Sequence, residues 1–182
     1  MSTTTTYFTV MPSPVGPLTL LADDDALVGL HFPSDAVAKP QPGWIPDERR
    51  FRDAAAQLGE YFAGRRQTFE LPLAPRGTAF RQLVWRALQA IPYGSTATYG
   101  EIARAIGQPQ ASRAVGGANH HNPLAIVIPC HRVIGSNGSM TGYGGGVDRK
   151  RLLLDLEGRG RPELFAREAR GAFPGLMGDR RA

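Results

Sequence analysis

The stretch TYGEIARAIGQPQASRAVGGANHHNPLAIVIPCHRV, residues 98–133, carries two short helical patterns and then the only cysteine of the chain. Thr98 with Glu101 forms a capping-box pair: the threonine oxygen accepts from the third helical amide and the glutamate reaches back to the cap amide. The helix so opened runs to Ile106 and stops at Gly107. Gln108 as cap and Pro109 in the first helical position predict a second helix through about Asn119. Two short helices joined by a glycine-containing turn predict a helix-turn-helix. Gly116 and Gly117 stand inside the second helix, each weakening it by roughly 1 kcal/mol relative to alanine. Such a pair either brings backbone close to a flat partner or permits a tight helix–helix contact within the fold. Arg113 lies about one turn earlier, where a basic side chain can enter a DNA groove.

LAIVI, residues 124–128, reads as a buried strand that Pro129 cuts off. Neighbours on a strand point to opposite faces, so Cys130 and His131 converge only if the chain turns at the proline. A thiol attacks as its thiolate, and an adjacent imidazole in basic surroundings lowers its pKa. The alternative is an inert buried cysteine. Cys-His-Arg in sequence favours the reactive reading. The histidines are His31, His120, His121 and His131. With one cysteine and no C-x-x-C or H-x-x-x-H pairing, no metal site has the required spacing.

Downstream, GSNGSMTGYGGGVDRKRLLLDLEG (135–158) sets Tyr143 between Gly142 and Gly144 to Gly146, a loop that approaches a ligand closely or simply connects. Asp148 then caps a helix with Leu152, Leu153 and Leu156 inward, closed by Gly158. Glu157 occupies the last turn, where the helix dipole disfavours a carboxylate by several tenths of a kcal/mol. A residue that breaks a local rule is a candidate for a functional task, and orienting an imidazole is one such task. A surface glutamate at a helix end is the other reading.

Upstream, YFTVM (7–11), LTLLA (18–22) and ALVGLHF (26–32) alternate with turns at 14–17 and 23–25, a small β meander. Residues 33–47 read as a loop. FRDAAAQLGEYFAG (51–64) places Phe51, Ala55, Leu58 and Phe62 at helical spacing and stops at Gly64. Thr68 to Leu71 reads as strand, and residues 73–78 as linker. Thr78 caps a helix striped by Phe80, Leu83, Val84, Ala87, Leu88 and Ile91 and ended by Pro92 and Gly94. The fold class is therefore α/β in composition and α+β in layout. A small antiparallel β-sheet domain with one helix (1–76) precedes a helical domain containing the helix-turn-helix (77–160) and a tail (161–182).

A chain of 182 residues, 42% hydrophobic and 20% charged, suits one sizeable domain or two small ones. Its net charge of +5 is uneven. Residues 1–77 hold seven basic and nine acidic groups, 78–160 nine and four, and 161–182 five and three. Only Lys39 and Lys150 are lysines; the other basic residues are arginines, whose fixed fork grips phosphate. A basic second half fits a polyanion partner or a solvated face. No apolar run nears the ~20 residues of a membrane helix. The N-terminus lacks a basic cluster and an apolar signal core, and one cysteine makes no disulfide framework, so a reducing cytoplasm is expected.

IPCHRV, preceded by RAVGGAN and HNP and followed by TGYGGG and LLLDLEG, resembles the O6-alkylguanine-DNA alkyltransferase family from about Phe80 to Gly158, and more weakly through the N-terminal region. The resemblance implies that Cys130 accepts the alkyl group irreversibly from O6-alkylguanine in duplex DNA, flipped out of the stack. It implies that His131 is the base, working through a water, and that Glu157 orients it. Asn122 would position the thiol and brace its turn. Tyr99 would donate a proton toward the departing guanine and help rotate the nucleotide. Arg113 would fill the gap in a duplex gripped from the minor groove, and the small residues around it, Gly116 included, would let the helix sit close. Gln108 and Ser136 fall where family members touch the DNA backbone, and Val133 and Tyr143 line the base pocket. Gly144 departs from members with serine there and leaves only a backbone N–H. No cofactor is implied, and a monomer is expected, with cooperative binding along DNA left open. Relatives that flag the lesion without repairing it lack the cysteine, which Cys130 argues against.

Overall fold

The computed structural model describes residues 5–140 and 143–158. The tail expected at 161–182 and Gly142 of the tyrosine loop lie outside them.

Alternating apolar positions build the expected meander of β1 (Tyr7–Met11), β2 (Leu18–Ala22) and β3 (Leu27–His31), paired antiparallel. β2 is buried along its whole length, with Leu18 and Leu20 fully enclosed. Its one polar side chain, Thr19, is satisfied by donating to the Ala38 carbonyl at 2.7 Å. The sheet is not purely antiparallel, however. β4 (Ile45–Pro46) joins the free edge of β1 in parallel, giving the order β3-β2-β1-β4. A parallel partner needs a long crossover, which the segment read as loop after β3 supplies.

α1 (Arg52–Phe62) follows a 3-10 turn at Glu48–Phe51. Its buried line is Phe51, Ala54, Leu58 and Tyr61; Ala55 and Phe62, expected inward, are only partly covered. No strand forms at 68–71. Pro72 lacks the N–H a continuing ladder would use, and the Gln57 carboxamide pairs instead with both backbone groups of Glu70, at 2.8 and 3.0 Å. Of this segment Leu73 bridges to β3, opposite Leu27.

α2 (Ala79–Gln89) is capped by Thr78, and its Trp85 Nε1 donates to the Ala118 carbonyl at 2.9 Å. β5 (Ala97–Thr98) leads into α3 (Tyr99–Ala105), where the capping box of Thr98 and Glu101 is fully formed. The next helix, α4 (Ser112–His120), starts three residues later than its signals suggest. Residues 108–111 close a turn of their own, Ala111 N donating to Gln108 O at 2.9 Å, so Gln108 caps nothing. β6 (Val133–Ile134) pairs in parallel with β5. α5 (Val147–Gly158) buries Lys150, Leu153, Leu154 and Glu157, and leaves Leu152 half exposed.

The run 124–128 is buried but is not a strand. Its ends are pinched by one side chain: Asn122 Nδ2 donates to Ile128 O at 2.8 Å and Oδ1 accepts from Leu124 N at 3.0 Å. Between them Ile126 takes φ +71°, which a β-branched residue adopts only under constraint. The edge of β3 holds the outside of this turn, Leu30 N donating to Pro123 O at 2.8 Å and Ala125 N to Leu30 O at 3.1 Å. Among the described residues no helix is long and apolar enough to cross a membrane.

Candidate active site

Pro129 releases the chain from the pinched turn into a single 3-10 turn, Cys130–Arg132, and all three side chains are buried. The thiol sits among Asn122, Tyr143 and Lys150. Burial pushes the Cys130 pKa up; hydrogen bonding to Asn122 and Tyr143 and the Lys150 charge oppose that without cancelling it. The lowering expected from basic surroundings is thus outweighed by loss of water. Tyr99, at the head of α3, is near enough for a thiolate to raise its own pKa, after the effect of burial.

His131 is fully buried, and its Nε2 lies 2.7 Å from Glu157 Oε1. An ionised carboxylate only accepts, so Nε2 carries the hydrogen and Nδ1 is left as the acceptor. Nδ1 is buried with no partner among the described residues. Burial, joined by the charges of Arg132 and Lys150, lowers the His131 pKa against the opposing pull of Glu157, which favours the neutral ring. A neutral ring with a free lone pair can take a proton.

Glu157 is far from a surface residue. Its carboxylate accepts from Tyr61 Oη at 2.7 Å, Gly94 N at 3.2 Å, Arg132 Nε at 2.9 Å and Arg132 Nη2 at 3.0 Å, besides His131. Burial alone would raise its pKa, but the bonds of His131 and Arg132, the charge His131 gains in acid and the Arg132 charge bring it down to about 2. The unfavourable helix end is overridden by a buried guanidinium. Gly94, at φ +75°, takes a conformation that favours glycine, and a Cβ there would stand 3.2 Å from the Glu157 carbonyl, a tight approach.

Lys150 escaped the sequence reading as a site residue, and Arg132 entered it only as part of Cys-His-Arg. Arg132 also donates from Nη1 to Ile91 O at 2.7 Å and stacks near the Tyr93 ring. Lys150, at zero exposure, donates to the carbonyl of Val133 and lies 5.6 Å from the centre of the Tyr143 ring. Burial depresses its pKa to about 8, the Cys130 charge acting the other way. Both carried a signal: Arg132 interrupts an apolar run, and Lys150 shares a helix face with Leu153, Leu154 and Glu157.

Tyr143 packs edge-on against Phe32, its hydroxyl buried without a partner at hydrogen-bond geometry among the described residues, although close enough to the thiol to influence it. Gly145, behind it, is obligatory: a Cβ there would come within 2.7 Å of Phe32 and of Tyr143. Gly144 is exposed, and a Cβ would meet His120 at 3.4 Å. Val133 is buried.

Most of the residues expected at a DNA surface are exposed. Arg113 is exposed on the first turn of α4 and makes no hydrogen bond or ion pair among the described residues; Gln108 and Ser136 are exposed in turns. Gly116 faces the Tyr99 ring at ordinary contact distance, and a Cβ on Gly117 would meet nothing within 4 Å among the described residues. The glycine pair therefore does not serve a tight internal helix contact.

Chemically, a lone buried thiol beside a neutral imidazole held by a carboxylate is the arrangement of a protein built around a cysteine nucleophile. Two family models match the chain. One is the DNA binding domain of 6-O-methylguanine DNA methyltransferase over residues 79–159, and the other is its ribonuclease-like domain over residues 6–75. The chain belongs to the 6-O-methylguanine DNA methyltransferase family. The methylated-DNA–protein-cysteine methyltransferase of Methanosarcina acetivorans is 51% identical over 153 residues, 84% of this chain and 98% of its own. That of Mycolicibacterium paratuberculosis is 52% identical over 155 residues, 85% and 94% of the two chains. The crystal structure of Mycobacterium tuberculosis OGT in complex with DNA superposes with a TM-score of 0.78 at 51% identity, covering 83% of this chain and 92% of that one.

Proposed function

We propose that this protein repairs duplex DNA by moving the alkyl group of O6-alkylguanine irreversibly to Cys130. The observation that carries the reading is the buried chain of contacts from the thiol's 3-10 turn through His131 to Glu157. Nδ1 of His131 takes the Cys130 proton through an intervening water. The sulfur attacks the alkyl carbon, the carbon–O6 bond breaks with its electron pair to the base, and Tyr99 supplies a proton to the departing guanine. The thioether is a very poor leaving group, so each molecule acts once.

The target atom is inaccessible within the stack, so the nucleotide must be flipped. α3 and α4 would act as a helix-turn-helix in the minor groove, the open glycine face of α4 lying close and Arg113 filling the gap. Gln108 and Ser136 would hold phosphates. Val133, Tyr143 and Gly144 would line the base pocket, and Asn122 would fix the thiol. We place catalysis and DNA binding in residues 77–160, the sheet domain in 1–76, and the monomeric protein in the cytoplasm.

The experiment is titration with duplex carrying O6-methylguanine. Repair should stop at one lesion per protein, and Cys130→Ser should bind the duplex and repair nothing, a hydroxyl being scarcely ionised at neutral pH. Repair continuing through many lesions, or repair by the serine variant, would refute single-use transfer to Cys130.

A further inference from the structure

Tyr61 belongs to the N-terminal unit, 96 positions before Glu157, yet the two are joined at 2.7 Å and both are buried. Its ring is fixed independently of its hydroxyl. Phe62, Phe69 and Tyr93 surround it with ring centres 5.4, 5.5 and 6.1 Å away. The hydroxyl meets a crowded carboxylate. Oε1 takes Tyr61, His131 and Arg132 Nη2, while Oε2 takes Arg132 Nε and Gly94 N. A carboxylate offers about four lone-pair sites, so these donors compete. What Tyr61 receives from Oε1, His131 does not.

We propose that Tyr61 is a positioning residue for alkyl transfer: its hydroxyl, delivered by α1, fixes the Glu157 carboxylate and limits how tightly that carboxylate holds His131. This deepens the reading of His131 as proton acceptor and rests on it. A tighter carboxylate would favour the imidazolium and leave less neutral ring at a given pH. The groups that bear on this balance are few. His131 is faced by Glu157 and Lys150 from α5 and by Arg132 from its own turn. Glu157 is faced by His131 and Arg132, by Tyr61 from α1, and by Tyr93 from the segment after α2. Tyr61 itself faces Glu157, Arg132 and Tyr93. Of the donors on Oε1, Tyr61 is the neutral one besides His131 itself, so deleting its oxygen changes the competition without removing a charge.

The test uses the full chain and two changes of opposite sign. Tyr61→Phe removes the donor; 3-fluorotyrosine at position 61 makes it a stronger one. The readouts are the His131 midpoint, followed by nitrogen-15 NMR of the ring, and the acid limb of the single-turnover transfer rate. In Tyr61→Phe both should move to higher pH by about half a unit to one unit, the scale of one altered hydrogen bond. With fluorotyrosine both should move to lower pH. Should Tyr61→Phe prove too unstable to titrate, the fluorinated protein alone decides. Unchanged midpoints, with only a lower melting temperature, would overturn the proposal and leave Tyr61 a packing residue. If the wild type transfers no alkyl group, the proposed function fails, whereas the NMR midpoint still decides the role of Tyr61.

Discussion

The sheet of β1 to β4 and the 3-10 turn of Cys130 bury their residues by opposite means. In the sheet, enclosed positions are aliphatic apart from Thr19, as with Leu18, Leu20 and Leu30, and most hydrogen bonds run along strand ladders. Around the thiol, enclosed positions include His131, Arg132, Lys150 and Glu157, and the bonds run between side chains or from side chain to carbonyl. An aliphatic core degrades gradually, since each lost methylene costs its own transfer and cavity energy. A buried ionic cluster fails abruptly, because removing one partner strands another charge away from water. The first region is thus a support and the second a device, and substitutions should tell them apart.

The largest effect is expected at Glu157. Glu157→Gln leaves Arg132 buried and unpaired, which should cost about 3–5 kcal/mol in denaturant unfolding and slow transfer as well. Helix-dipole reasoning from the sequence points the other way, to slight stabilisation, and the five bonds on this carboxylate decide against it. The pH dependence has a definite sign. A carboxyl held at about 2 instead of the ordinary 4.5 stabilises the fold above pH 4.5, and that contribution is lost as pH falls toward 2. At about 1.4 kcal/mol per unit it amounts to roughly 3 kcal/mol, and the variant should lose this acid sensitivity. A variant as stable as wild type would dissolve the distinction between the two regions.

Leu20→Ala, in the sheet, should cost about 2–5 kcal/mol of stability. The transfer rate of the molecules that remain folded should not change. A slowed rate in fully folded protein would show that the sheet, and not only Tyr61 of α1, tunes the site. Arg113→Ala should unfold nothing, since the side chain is exposed. It should slow repair of duplex at least tenfold, flipping being worth a few kcal/mol, and leave reaction with the free alkylated base unaltered. Equal losses on both substrates would make Arg113 part of the fold. Smallest is Lys150→Met, which keeps the stem and removes the charge. The pH midpoint for alkylation of Cys130 by iodoacetamide should rise by up to about one unit. An unmoved midpoint would confine Lys150 to holding Val133.

These contrasts also explain what the sequence could disclose. Periodicity located β1 to β3, and capping chemistry located α2 and α3, because those signals are local. It misplaced faces wherever a polar residue belongs inside. α1 turns Tyr61 inward instead of Phe62, and α5 turns Lys150 and Glu157 inward with Leu153 and Leu154, leaving Leu152 outside. A pattern that counts only apolar side chains cannot see a helix face with charges at both ends. The same blindness made residues 124–128 look like a strand, when the Asn122 carboxamide closes them as a turn. The thiol, its histidine and Glu157 were legible because each sits oddly where it stands. Of their partners, Arg132 is next in sequence, whereas Tyr61 and Lys150 lie far along the chain from Glu157 or Cys130 and come to them only on folding.

The most direct measurement is the fate of the alkyl group. Duplex carrying isotope-labelled O6-methylguanine is reacted with the full-length protein, and the products are digested and mapped by mass spectrometry. All label should appear as one methyl on the peptide containing Cys130, with unmodified guanine restored in the DNA. Label on any other residue, or released as methanol, would contradict transfer to Cys130.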